Sequence, residues 1–248
     1  MIQHVSGVRL VALVMVGVLA LGTTACGSSN SPADALAGKS ASQVLELALD
    51  NATKAGTMGY TITTQSGTGK QSVAGNASAK GGDVLVTNPD GVLHLVVIGA
   101  TAYVKSDAAV LQSVLSLPAA AASGNADKWI SVTSKETQFG PLAAATSFSS
   151  TLAEFTPGGA SLRLTGGTVA GHHVGLIDGT GPSAVSAQTY DIQLVVTTKA
   201  PVLPIGGGVT VQGNGKKATQ VAVFALWGKP LTLQAPTGAT PLSAIAPG

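Results

Sequence analysis

The chain has 248 residues, a formal charge of +2, 10% charged and 4% aromatic side chains, and 32 glycines. With no basic stripe and Lys216-Lys217 as its only basic pair, it lacks the electrostatic footprint of a nucleic-acid binder. A hydrophobic content of 45% at such low charge excludes a disordered chain, and the length suits one domain or two small ones.

The first feature is Leu10 to Leu21, an apolar run preceded by Arg9. It is shorter than the ~20 apolar residues a spanning helix needs. A short run after a basic residue, ending in the small Thr23, Thr24 and Ala25, has the layout of a cleaved export signal. It leads into Cys26, the only cysteine, followed by Gly27-Ser28-Ser29-Asn30. One thiol cannot form an internal disulfide, so a lipidated N-terminal cysteine is favoured over a plain secretory signal with an incidental Cys26. The expected segments are a lipoprotein signal (1–25), a flexible tether (26–39), a folded domain (40–236) and a loose Pro/Ala/Thr-rich tail (237–248). The expected location is the outer face of the cell membrane, held there by acyl chains on Cys26.

Ser40-Ala41-Ser42-Gln43 predicts a capping-box helix start. Val44, Leu45, Ala48, Leu49, Ala52 and Ala55 then recur at helical spacing, and Gly56 is the stop. From Met58 the period becomes two, with Tyr60 and Ile62 following, and Gly67 to Lys70 forms a turn. Further strands are expected over Gln71–Lys80, Asp83–Thr87, Val92–Ile98 and Thr101–Ser106, an antiparallel meander punctuated by Gly81-Gly82 and Asn88-Pro89-Asp90-Gly91. A short helix over Ala108–Leu117 ends at Pro118, and Ala119–Asn125 is expected as a small-residue loop. Next come a strand over Lys128–Val132 and one helix over Pro141–Phe155, carrying Leu142, Phe148 and Leu152. Strands return over Ser161–Val169, His172–Asp178, Tyr190–Thr198, Val209–Gln212 and Gln220–Leu226, with Trp227 to Leu233 as the last ordered stretch. The order predicts an α+β architecture with helices on one side of a long antiparallel sheet.

Four segments of this pattern resemble the LppX/LprA/LprF/LprG lipoproteins of actinobacterial envelopes, which are similar in fold to the LolA and LolB carriers. They are Cys26 ahead of a tether and amphipathic helix, Gly99-Ala100-Thr101-Ala102-Tyr103-Val104-Lys105, Lys128-Trp129-Ile130, and the ending Trp227-Gly228-Lys229-Pro230 to Pro236. The turn Val169-Ala170-Gly171-His172-His173-Val174 also fits, while Pro201 to Gly208 replaces a shorter turn. The resemblance implies a curved half-barrel sheet with helices covering its concave face, enclosing an apolar cavity. It implies binding of acylated lipids or glycolipids, their transport across the envelope, and an envelope lipid transporter as a partner. A cavity there would be lined by Leu45, Leu49, Tyr60, Ile62, Leu93, Leu95, Val97, Tyr103, Val104, Leu142, Phe148 and Leu152. The residues alone leave two outcomes open. Sheet faces normally become filled cores, yet small aliphatics with few aromatics can leave a pocket of the kind ligands use.

No cofactor, metal site or catalytic set is expected. His172 and His173 are adjacent in a strand and point to opposite faces, so one ion cannot easily take both. Gly67-Thr68-Gly69-Lys70 lacks the rest of a phosphate loop, with Thr64 and Gln71 in its key positions. His94 is expected as a core or rim histidine, Asp178 and Asp191 as isolated carboxylates, and no serine nucleophile motif occurs. The chain is therefore expected to be a non-enzyme, and the alternative to a lipid carrier is a surface-anchored structural or protein-interaction lipoprotein without a lipid ligand.

Overall fold

A computed structural model describes residues 34–67, 69–181, 189–213 and 216–246. The signal, Cys26 and the first part of the tether lie outside the described residues. Helix α1 (Ala41–Ala55) opens on the capping box: the Ser40 hydroxyl accepts from the Gln43 N–H at 3.3 Å, and the Gln43 side chain accepts from the Ser40 N–H at 2.9 Å. Gly56 closes it in the left-handed conformation, at φ 70°. Val44, Leu45, Ala48 and Ala52 face inward.

Two antiparallel meanders form one sheet. The first runs β1 (Thr57–Ser66), β2 (Gly69–Ser78), β3 (Gly81–Asn88), β4 (Gly91–Ile98), β5 (Thr101–Lys105) and β6 (Ile130–Thr133). The second runs β7 (Gly158–Val169), β8 (His172–Thr180), β9 (Thr189–Thr197), β10 (Pro204–Gly213) and β11 (Lys216–Ala225). β11 pairs with β1 and joins them, and the short β12 (Thr240–Pro241) adds parallel to β6, giving 12 strands in an open, curved sheet. Directly paired residues share a face. The inner face is therefore read along the row Phe224, Tyr60, Gly75, Val84, Leu95, Val104 and Ile130. The outer face is read along Val223, Thr61, Ala74, Leu85, His94 and Lys105.

The helices α2 (Ala108–Leu115), α3 (Ala119–Asn125), α4 (Phe139–Ala145) and α5 (Phe148–Ala153) come from the two connections around β6. Ala119–Asn125 is thus a helix rather than a loop. Alanine loses little entropy in a helix, and Ala122 is buried without a large side chain to seat. The single helix expected over Pro141–Phe155 is two. Thr146 ends α4 by turning its N–H and hydroxyl back to the Ala143 carbonyl, and the Ser147 hydroxyl caps α5 by accepting from the Ser150 N–H.

Both ends of the expected domain extend further than the sequence pattern indicates. Leu36 is buried, its Cδ1 lying 2.6 Å from where a Cβ on Gly175 would stand, and the Ala35 N–H donates to Thr198 O at 2.8 Å. The tether is therefore docked on the sheet from Asp34 onward. The tail expected to be loose instead forms β12 and α6 (Leu242–Ile245), which bury Leu242. In each segment one buried leucine is joined by backbone hydrogen bonds to the sheet: Ala35 to Thr198 and Thr240 to Trp129.

Candidate functional site: a trough between two cores

The concave side holds two hydrophobic clusters rather than one chamber. The first packs α1, Leu36, Leu152 and Phe155 on the inner faces of β1, β2 and β7–β11. The scarce aromatics concentrate there: Phe155 meets Phe224 edge-on at 5.6 Å, and Phe148 meets Trp227 edge-on at 5.9 Å. The Trp227 Nε1–H donates to Pro204 O at 2.7 Å. Phe155 also lies over Gly207, where a Cβ would stand 2.9 Å from its ring. The second cluster packs Leu111, Leu115, Leu117, Ala122, Leu142 and Leu242 on β4, β5 and β6.

The boundary between the clusters falls between β3 and β4. Val86 pairs with Leu93 there, and both remain only half-buried. An open trough runs along this seam, formed by two adjoining hollows that share Leu93 and Val114. One, of about 480 Å³, is walled by Leu95, Pro141, Leu142 and Ala145. The other, of about 500 Å³, is walled by Val86, Val110 and Ala109 and opens at Gln71, Asn88 and Asp90. The Asn88 side chain is committed there, accepting from the Asp90 and Gly91 N–H groups at 2.9 Å each. Across α4 lies a third hollow of about 580 Å³, lined by Val97, Phe139, Phe148 and Lys80. Each volume falls within the range that ligand sites occupy.

The structure divides the expected cavity residues. Leu93, Leu95 and Leu142 meet in the trough, and Val97 and Phe148 line the hollow across α4. Leu45, Leu49, Tyr60, Ile62 and Leu152 belong to the first core, and Val104 is fully buried in the second. Tyr103 is a correction: Ala102 and Val104 take the inner face of β5, so strand alternation places Tyr103 on the outer face beside Val96. His94 is on that face too, its ring 4.9 Å from Trp129. Cys26 lies outside the described residues. Val86 and Val114 were not expected at the site. Val114 was legible as a helix position next to Leu115, but only packing shows that it stays half-covered.

The electrostatics of the concave side are sparse. Burial pushes the Tyr60 hydroxyl up to about 12, opposed by the Thr151 hydroxyl nearby, which itself donates to Ser147 O and leaves Tyr60 without a well-formed hydrogen bond among the described residues. Burial also raises Glu154, opposed by the Gln220 amide that donates to it at 3.5 Å. Among the described residues no group of His, Cys, Asp and Glu is arranged to hold a metal ion. The described residues also contain no helix long and apolar enough to cross a membrane.

An open, curved antiparallel sheet with helices and an apolar trough on its concave side defines an α+β fold of the LppX type. The chain is similar to the crystal structure of the Mycobacterium tuberculosis lipoprotein LppX, with a TM-score of 0.51 and 12% identity over 78% of this chain and 98% of that one. At that identity the likeness carries the fold alone. No protein-family model matches the chain, and no curated protein matches it.

Proposed function

We propose that this is a lipid-anchored envelope protein that holds acyl chains of lipids or glycolipids in the trough between its two cores and helps carry them across the envelope, without catalysis. The observation that carries the reading is the half-buried apolar seam of Val86, Leu93 and Val114 along an open groove. Leaving such side chains partly wet forfeits roughly 25 cal/mol per Å² of apolar surface, which an acyl chain laid over them would recover. Cys26 supplies the anchor in this reading, and the likeness to a lipoprotein supports it.

The test is organic extraction of native protein made without the anchor, followed by mass spectrometry of the extract. Lipid in near-equal ratio to protein is the expected result, and Leu93→Trp or Val114→Trp should reduce it at least several-fold with the fold intact. These positions suit blocking better than Val104, whose complete burial would turn a large residue into a folding defect. A protein that yields no lipid under any preparation overturns the reading. A second reading, a surface-anchored interaction or structural lipoprotein, is favoured by the exposed Leu85, Val92, Val221 and Val223 on the outer face. It predicts an empty extract.

A further inference from the structure

We infer that one rim of the sheet, the rim where Asp34 enters the fold, is a docking surface for an anionic lipid bilayer. The inference rests on the anchoring of Cys26 proposed above, and it concerns a surface separate from the trough.

Charge is the first argument. The strand connections at this rim carry Lys80 (β2–β3), Lys135 (after β6), Lys199 (β9–β10) and Lys229 (after β11), with Lys54 in the last turn of α1. His172 and His173 begin β8 there, and all seven side chains are exposed. Three carboxylates share this rim and keep their charge. Asp34 accepts from the Leu36 N–H at 2.9 Å, Glu136 accepts from the Thr133 N–H and hydroxyl, and Asp83 accepts from Asn76 at 3.1 Å. The opposite rim is mixed in sign: Asp90, Asp107, Asp127, Asp178 and Asp191 stand against Lys70, Lys105, Lys128, Arg163, Lys216 and Lys217. The rim at Asp34 thus carries five lysines against three carboxylates, while the opposite rim is close to balanced. Each lysine close to an anionic membrane adds to the attraction, which decays within a Debye length.

Chain geometry is the second argument. Cys26 is eight residues before Asp34, so even a fully extended link spans at most about 28 Å at ~3.5 Å per residue. An anchored molecule thus keeps Asp34, and the part of the rim beside β8 and β9, within that distance of the bilayer.

A third, independent observation is Leu226. It is 58% exposed, and it takes a positive φ of 56°, a backbone state rare for a large non-glycine residue. It follows β11 at the same rim, its side chain over Gly59, where a Cβ would stand 2.9 Å from Leu226 Cδ1. A leucine presented beside lysines at a basic rim matches the mixed apolar and cationic contact a bilayer surface rewards. Two hollows also open at this rim. One, of about 710 Å³, is lined by His172, His173, Lys199 and Ile205, and the other is the Lys80 hollow described above.

The test sediments the chain from residue 27, which keeps every described element of the fold, with vesicles of phosphatidylcholine alone or mixed with phosphatidylglycerol. The wild type should bind the mixed vesicles and release as salt rises. The triple variant Lys80→Glu/Lys199→Glu/Lys229→Glu should lose at least ~tenfold in partition. A control, Lys70→Glu/Lys128→Glu/Lys217→Glu, removes the same charge from the far rim and should change it by less than ~twofold. Leu226→Ser should weaken binding several-fold and leave the salt dependence in place. Equal loss in the two triples, or loss in neither, overturns the inference, with circular dichroism confirming that each variant is folded. The vesicle assay involves no cargo, so an empty lipid extract sinks the carrier reading without touching this one.

Discussion

Tyr60 is the side chain whose chemistry least fits its place. It is 5% exposed on the inner row, its ring lies over Gly75, and its hydroxyl makes no well-formed hydrogen bond among the described residues, with only the committed Thr151 hydroxyl nearby. A buried hydroxyl left unpaired costs about 1–3 kcal/mol. Tyr60→Phe is therefore expected to raise stability by about 1 kcal/mol, measured as a higher denaturant midpoint at neutral pH. The pH dependence has a defined sign. Burial holds the folded Tyr60 at about 12 against an ordinary value of 10.0, so ionisation favours the unfolded chain. The wild type should keep its full stability below about pH 10 and lose it between pH 10 and 12, relative to a Tyr60→Phe variant that lacks the slope. A parallel decline in both proteins would show that the hydroxyl is not held this way.

At the level of elements, the fold depends on short segments pinned by one buried leucine each together with backbone hydrogen bonds. Helix α6 is one turn long and β12 only two residues, so neither is stable alone. Their contribution comes from Leu242, which is buried against the helices and strands of the second core. Leu242→Ala should cost about 2–5 kcal/mol, read as a lowered thermal midpoint, and should bring protease cleavage to the chain after Pro236. A midpoint unchanged within error would mean that the tail is as loose as its composition indicates. Likewise, α4 and α5 are separated at Thr146-Ser147 by local hydroxyl bonds rather than by proline or glycine. That break leaves α4 between the trough and the hollow lined by Phe148, each open on its own side.

At the scale of the molecule, one continuous hydrogen-bonded sheet carries two side-chain clusters whose boundary is the trough. Residues without shared partners contribute additively to stability. Ile177→Val in the first core and Ile130→Val in the second should each cost about 0.5–1.5 kcal/mol, and the double variant should match their sum within about 0.5 kcal/mol. A coupling above about 1 kcal/mol would mean that the interior packs as one body and that the seam is not a real division. In the proposed carrier, an acyl chain in the trough would touch both clusters and should raise the coupling when bound.

Local patterns determined much of this protein. The Ser40/Gln43 capping box, the Gly56 stop, the period-two strands from Met58 onward and their glycine turns are short-range, so periodicity and cap chemistry were enough to place them. The outer-face position of Tyr103 was implicit in the same alternation, once Ala102 and Val104 were known to point inward. Only the tertiary structure decided the rest. Whether Leu36 and Leu242 anchor their segments depends on surfaces supplied by strands far away in sequence. Whether the few aromatics fill one side of the concavity and leave a seam at β3–β4 depends on which strands become neighbours. The pairing of β1 with β11 sets that arrangement, and because it joins residues more than 150 positions apart, no local pattern encodes it.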